Sequence, residues 1–264
     1  MSAAAKRLHM SQPALSRSVR RLESELGQEL FDRVGRCVEL NDAGRVALDW
    51  ARQILRDERL MRDAIDAVAH RVRTLRVGTV APAPLWRLTS LMMERFPQET
   101  LTSEMLEGDE VLERVLDGML DLGIVTQRPT SPSFRVCELM QENLSVTLPP
   151  NHPLAARKSV TAEDLDGDTF LIFTDIGFWR ERVDAALPHA TFVEQRDREV
   201  FSQLVRSTPH CAFTTDAPYL DGTAPGRAVV PIDDAMAHAA FYLVCRADAD
   251  GLPLRLFEWV CGRE

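Results

Sequence analysis

At Leu75 the apolar pattern of this 264-residue chain changes period. Upstream, apolar side chains recur at the three- and four-residue steps of helices. Downstream, short apolar runs alternate with helical stretches. Such a chain folds as a helical head joined to an α/β body, because strands that alternate with helices pair in parallel. The length allows about two domains. With 45% apolar and 27% charged residues, the composition supports more than one core and excludes a disordered chain or a disulfide-stapled mini-protein.

In the head, Ser2–Leu8 reads as a short helix and His9-Met10 as a turn. Ser11 is a good N-cap, because its side-chain oxygen can accept from an open N–H of the next turn. Pro13 is tolerated in a first turn, and Gly27 ends the helix as a C′ glycine. On a wheel of about 100° per residue, Leu15, Val19, Leu22 and Leu26 fall in one arc. Gln12, Ser16, Arg17, Arg20 and Arg21 lie outside it, and no acid interrupts the polar face before Glu23. This is either a solvated surface helix or a reading helix, since Gln suits adenine, Arg suits guanine and Ser reaches a base or a phosphate. Leu30–Leu40 then reads as two extended pieces around Gly35, a small basic hairpin. Asn41 or Asp42 caps a long helix over Ala43–Arg71, in which Ala47, Ile54, Met61 and Val68 repeat every seventh residue. At 1.5 Å per residue it spans about 43 Å, which favours a partner helix over packing on its own domain alone.

The body alternates. Strands are expected at Leu75–Val80, Leu101–Leu106, Asp121–Thr126, Arg135–Leu139 and Leu144–Leu148, with helices at Leu85–Phe96 and Asp109–Leu116. A second alternation follows after Pro149-Pro150. It has strands at Thr169–Thr174, Ala190–Gln195 and Cys211–Thr215, with helices at Phe178–Leu187 and Arg198–Ser207. A strand at Ala240–Cys245 and a helix at Leu252–Cys261 complete it.

Charge is divided along the same line. Residues 1–73 hold 14 basic and 11 acidic side chains, a net of +3, whereas residues 74–264 carry a net of −12. A basic head on an acidic body points to a polyanion at the head, although +3 is small enough to arise without one. Five scattered cysteines without a C-x-x-C pair read as buried free thiols in a reducing cytoplasm. The six histidines have no metal-ligand spacing, and neither metal nor cofactor is expected. No run of about 18 apolar residues exists to span a membrane, and the start has no secretory h-region. An enzyme built on the α/β body is a weak alternative, because no G-x-S-x-G, phosphate-binding glycine loop or His-Glu-x-x-His occurs.

The segment SAAAKRLHMSQPALSRSVRRLESELGQELFDRVGRCVELNDAGR, residues 2–45, resembles the winged helix-turn-helix of LysR-type transcriptional regulators. LRVGTV, VLDGMLDLGIV and NHPLA sit where that family's effector domain has similar segments. The resemblance implies an α + α/β fold: a winged helix-turn-helix over 1–45, a linker and dimerisation helix over 42–73, and an effector domain over 75–264. The effector domain would comprise two α/β subdomains of periplasmic-binding-protein type, about 75–142 with 236–264, and about 143–235. The implied partners are double-stranded promoter DNA, a small polar or carboxylate effector, and further copies of the chain as a homodimer or homotetramer. Carried over by position, Gln12, Pro13, Ser16 and Arg17 face the major groove, Arg20 reaches phosphate, and Ser11 belongs to the same DNA-binding set. Arg33 and Arg36 lie on the wing, where Arg36 reaches phosphate or the minor groove, or on a merely solvated hairpin.

Open α/β sheets bind ligands at the carboxyl ends of their strands. The ends here are Thr79, Val80, Ala81 and Pro82; Thr126 and Gln127; Thr174 and Asp175; and Thr214 and Thr215. Each has a hydroxyl, although threonine is common at strand ends, and Pro82 stands where the family often has Ser or Thr. Trp86, Phe178 and Trp179 read first as core and second as cleft walls. The family has a further helix before the stretch matching Ser2. Without it, Leu15, Val19 and Leu22 would be partly exposed at about 1.5–3 kcal/mol each. The expectation is then a loosened head on an intact effector domain, and the alternative function is a small-molecule binding module with impaired DNA binding.

Overall fold

A computed structural model describes residues 2–34, 37–70, 74–174, 176–217 and 226–262. It divides into two compact units, Met1–Asp66 and Ala67–Glu264. No helix among the described residues is long and apolar enough to cross a membrane.

The first unit runs α1 (Ser2–Arg7), α2 (Gln12–Leu26), β1 (Phe31–Val34), β2 (Cys37–Leu40) and into α3 (Asp42–His70). His9, at φ 51°, turns the chain between α1 and α2, and Met10 N–H donates to Ala5 O. Ser11 caps α2 by accepting from Ala14 N–H at 3.3 Å. Gly27, at φ 69°, closes the helix in the left-handed region that glycine enters without cost. Strands β1 and β2 are antiparallel, with Phe31 opposite Leu40 and Val34 opposite Cys37. Asn41 is the cap of α3: its Oδ1 accepts from Gly44 N–H at 2.8 Å, and its Nδ2 donates to Glu29 O at 2.9 Å. Gly44 is required there, because a Cβ would lie 2.0 Å from Leu30 O.

The second unit contains β3 (Thr74–Thr79), α4 (Pro82–Arg95), β4 (Thr100–Met105), α5 (Gly108–Leu116), β5 (Leu122–Val125) and β6 (Phe134–Leu148). The chain continues through α6 (Ala162–Leu165), β7 (Thr169–Phe173), α7 (Trp179–Ala186), β8 (Thr191–Gln195), α8 (Arg198–Ser207) and β9 (Cys211–Thr215). It ends with β10 (Ala228–Pro231), a 3-10 turn (Ala235–Ala237), β11 (His238–Arg246) and α9 (Gly251–Cys261). Strand order is β4-β3-β5-β11-β6-β9-β7-β8, with β10 also on β6. Within it β3, β4 and β5 are mutually parallel, as are β7, β8 and β9, while β6 and β11 run antiparallel to their neighbours.

One expectation is corrected here. Arg135–Leu139 and Leu144–Leu148 are not two strands but parts of the single strand β6. Its first part, Phe134–Asn143, pairs with β11; from Leu144 it pairs with β9 and β10. No turn is needed, because the backbone groups exchange one partner for the next without leaving the sheet. The strand thus belongs to two lobes. Lobe I has β3, β4, β5, β11, α4, α5 and α9; lobe II has β7, β8, β9, β10, α6, α7 and α8. Lobe I packs Leu75, Leu122, Ile124, Leu88 and Phe241, all fully buried, and lobe II packs Phe170, Leu165 and Leu187. Helix α6 and strand β10 are too short to show in the sequence pattern. The first is held by a reciprocal cap between Thr161 and Asp164, the second by its ladder to β6.

The expectation of five free thiols is also corrected. Cys137 of β6 and Cys261 of α9 form a disulfide across 124 residues, their Cα atoms 5.8 Å apart. Only the docking of the last helix on β6 makes them neighbours. Cys211 and Cys245 are free and buried.

Candidate functional site

Two faces concentrate the sequence candidates, one in each unit. In the first, α2 exposes Gln12, Pro13, Arg17 and Arg20 and half-buries Ser16. Arg21 is tied to Glu25 at 2.8 Å, but Arg17 and Arg20 have no acidic partner among the described residues. Their guanidiniums therefore remain open to phosphate or base edges. Ser11 is exposed, and its hydroxyl accepts from the helix it caps. Arg33 lies in β1, whereas Arg36 lies outside the described residues. On the apolar side Leu15 and Val19 are half-buried, while Leu22 and Leu26 are 47% and 53% exposed.

In the second unit the candidates lie at strand ends of both lobes. Val80 O, after β3, accepts from Phe178 N–H at 3.0 Å, which joins lobe I to the loop before α7. Gly177 makes that approach possible: it sits at φ 58°, and a Cβ there would come within 2.4 Å of Val80 O. The Phe178 ring stacks edge-on to Phe241 of β11, with centroids 5.8 Å apart. Thr79 is buried, and its hydroxyl donates to Ala81 O at 2.7 Å and accepts from Ala81 N–H at 3.3 Å. That hydroxyl serves its own loop. Val80 and Ala81 are buried, Pro82 begins α4 half-buried, Thr126 is half-buried and Gln127 is exposed. Thr174 is half-buried and its N–H donates to Gln195 O; Asp175 lies outside the described residues. Thr214 pairs with Ser145 of β6, and the Thr215 hydroxyl accepts from Ala217 N–H.

The sequence reading missed the polar network where β6 changes lobes. Glu142 is 2% exposed and accepts from Trp179 Nε1 at 3.1 Å. Burial pushes its carboxyl above the usual range and nearby Asp216 adds to that; the hydrogen bonds from Trp179 and Thr215 oppose it. Beside it, Asn143 donates from its backbone and side chain to Asp216 at 2.8 and 2.6 Å, and meets His238 Nδ1 at 2.7 Å. The crossover is thus stitched to β9, α7 and β11. Two adjacent polar residues in an apolar strand, Glu142 and Asn143, were the available signal.

His152, Asp168 and the Cys211 thiol bring their ligand-type atoms within 4.8 Å of one another. Leu154 N–H donates to His152 Nδ1 at 3.3 Å, and His152 Nε2 lies 3.2 Å from Asp168 Oδ2. Burial, with the Asp168 charge adding to it, pushes Cys211 up to about 12, and the Arg227 cation opposes the rise.

The arrangement of a helix-turn-helix with a hairpin, a long helix and a two-lobed body has close counterparts. Residues 1–45 match the bacterial regulatory helix-turn-helix protein, lysR family, and residues 69–260 match the LysR substrate binding domain. The chain belongs to the LysR family. Among its relatives, the DNA-binding transcriptional dual regulator OxyR of Escherichia coli is 30% identical over 65% of this chain and 58% of its own. The RuBisCO operon transcriptional regulator of Allochromatium vinosum is 29% identical over 64% and 57%. The chain therefore spans less than three-fifths of the length of these curated relatives. Full-length OxyR from Pseudomonas aeruginosa superposes with a TM-score of 0.60 at 25% identity, covering 99% of this chain and 88% of that one. CbnR, a LysR family transcriptional regulator, has been solved in complex with its target DNA. It superposes at 0.51 with 25% identity, covering 98% and 92%. As a LysR-family chain it groups with regulators, not enzymes.

Proposed function

We propose that this LysR-family protein is a cytoplasmic transcriptional regulator that binds promoter DNA through α2 and the hairpin, and answers to a small effector held between lobes I and II. The observation that carries the reading is the exposed donor face of α2. Gln12, Arg17 and Arg20 are aligned by the Ser11 cap, and neither arginine is paired with an acid among the described residues. Gln12, Ser16 and Arg17 would read base edges, Pro13 would pack beside them, Ser11 would orient the helix, and Arg20, Arg33 and Arg36 would hold phosphates. The likeness of residues 1–45 to the family's DNA-binding module favours this over a binding module with impaired DNA reading.

The effector would meet Val80, Ala81, Pro82, Thr126, Gln127, Thr174, Asp175, Thr214 and Thr215, with Thr79 shaping the loop. Helix α3 would pair two copies through Trp50, Ile54 and Met61, all exposed. The test is fluorescence anisotropy of the full chain on DNA from its own upstream intergenic region, at low and moderate salt. Arg17→Ala should lose about 1–3 kcal/mol of discrimination between cognate and scrambled DNA. Arg20→Ala should weaken both equally and reduce the salt slope by about one. Equal affinity of the wild type for both DNAs would overturn the reading.

A further inference from the structure

Open α/β clefts commonly hold anions on the N–H groups of a helix N-terminus. In this cleft that device is depleted. Pro82 and Pro84 carry no N–H, and Ala81 N–H is already taken by the Thr79 hydroxyl. Of the five residues Ala81–Leu85, only Ala83 and Leu85 retain a donor not committed in this way.

A cation stands at the same place. Arg198, the first residue of α8 in lobe II, lays its guanidinium over Trp86 of α4 at 5.8 Å and over Phe173 of β7 at 5.7 Å. One ring belongs to each lobe. Arg198 has neither an ion pair nor a hydrogen bond among the described residues, and its side chain is exposed. Of the two acids beside it in sequence, Asp197 is engaged as the cap of α8, its Oδ1 accepting from Glu199 and Val200 N–H at 2.8 and 2.9 Å, and the exposed Glu199 forms no ion pair with Arg198 among the described residues. By contrast Arg180 is paired with Asp184 and Glu194, and Arg182 donates to the carbonyls of Ala235, Met236 and His238. Aromatic faces hold a guanidinium by its plane and leave its donor edge open, the geometry that takes a carboxylate on two parallel N–H bonds.

We propose that Arg198 is the anion-binding and specificity-determining residue of the interlobe cleft, selecting an effector that carries a carboxylate. Because its cation bridges Trp86 and Phe173, a carboxylate bound on it ties ligand occupancy to the approach of the two lobes. The proposal rests on the reading that the effector binds between the lobes.

The test uses the full chain and a panel of small carboxylates, from acetate to phenylacetate, each with its primary amide as the neutral match. Binding is read by thermal shift and by calorimetry. At least one carboxylate should bind at millimolar concentration while its amide does not. Arg198→Gln should weaken that carboxylate about tenfold or more, and Arg198→Lys should restore part of the loss. Arg198 is exposed, so the apparent melting temperature of the unliganded variants should match wild type. Amides binding as well as acids, an unchanged affinity in Arg198→Gln, or no carboxylate binding at all would each overturn the proposal. A second variant, Thr126→Trp, fills the cleft from lobe I. Carboxylates that survive Arg198→Gln but are lost in Thr126→Trp would leave the cleft standing and remove Arg198 from it. Carboxylates that survive both would overturn the interlobe reading itself.

Discussion

Glu142 shows what a single side chain does at the crossover between lobes. Its carboxyl is buried beside Trp179, Thr215 and Asp216, and the first consequence is a raised affinity for its proton. The folded state then holds that proton more tightly than the unfolded chain does. Its contribution to stability is full in acid below the ordinary carboxylate range, and is lost as pH rises toward the raised folded value. Glu142→Gln keeps an acceptor for Trp179 Nε1 and removes the charge. It should unfold at higher urea than wild type at neutral pH, with the gap closing in acid; a gap that does not depend on pH would contradict this. Burial governs the thiols in the same way, pushing Cys211 up to about 12 and Cys245 up to about 11. In a Cys37→Ser background, neither should react with a thiol-specific disulfide reagent at neutral pH until the chain is unfolded. Cap residues were legible from sequence because they act on neighbours a few positions away, as Ser11 does on Ala14. Glu142 was not, because its partners lie 37 and 73 residues further on.

At the level of elements, strand β5 is constrained by the helix that covers it. A Cβ on Gly123 would lie 2.6 Å from a Val111 methyl and 2.8 Å from a Val244 methyl. Gly123→Ala should therefore destabilise the second unit by about 1–3 kcal/mol, through overpacking between α5 and β11. Ile124→Ala, one residue on and fully buried, should cost about 2–5 kcal/mol by leaving a cavity. Urea midpoints of the two variants check both signs. Most helices and strands of the body were legible because their periods are local. The continuity of β6 was not, since a change of hydrogen-bonding partner leaves no mark on the apolar alternation of either half.

For the molecule as a whole, α3 carries the main consequence. Trp50 and Ile54 are 60% and 63% exposed, on a helix of 29 residues. In the proposed dimer a second copy of the same helix would cover this apolar stripe. If α3 pairs two copies as proposed, wild type should sediment as an oligomer and Ile54→Glu as a monomer in sedimentation velocity; an oligomer that survives Ile54→Glu would place the interface elsewhere.

Sequence alone determined the helical head, the capped helix α2 with its basic face, the long helix and the α/β body. It did so because caps, wheels and alternation are properties of a few adjacent residues. Tertiary structure decided the rest. It joined Cys137 to Cys261, passed β6 between two lobes, buried Glu142 at that passage, turned the Thr79 hydroxyl inward and set Arg198 between Trp86 and Phe173. Each of these depends on residues distant in the chain meeting through packing, and the energy of such a contact is written in neither partner's local sequence.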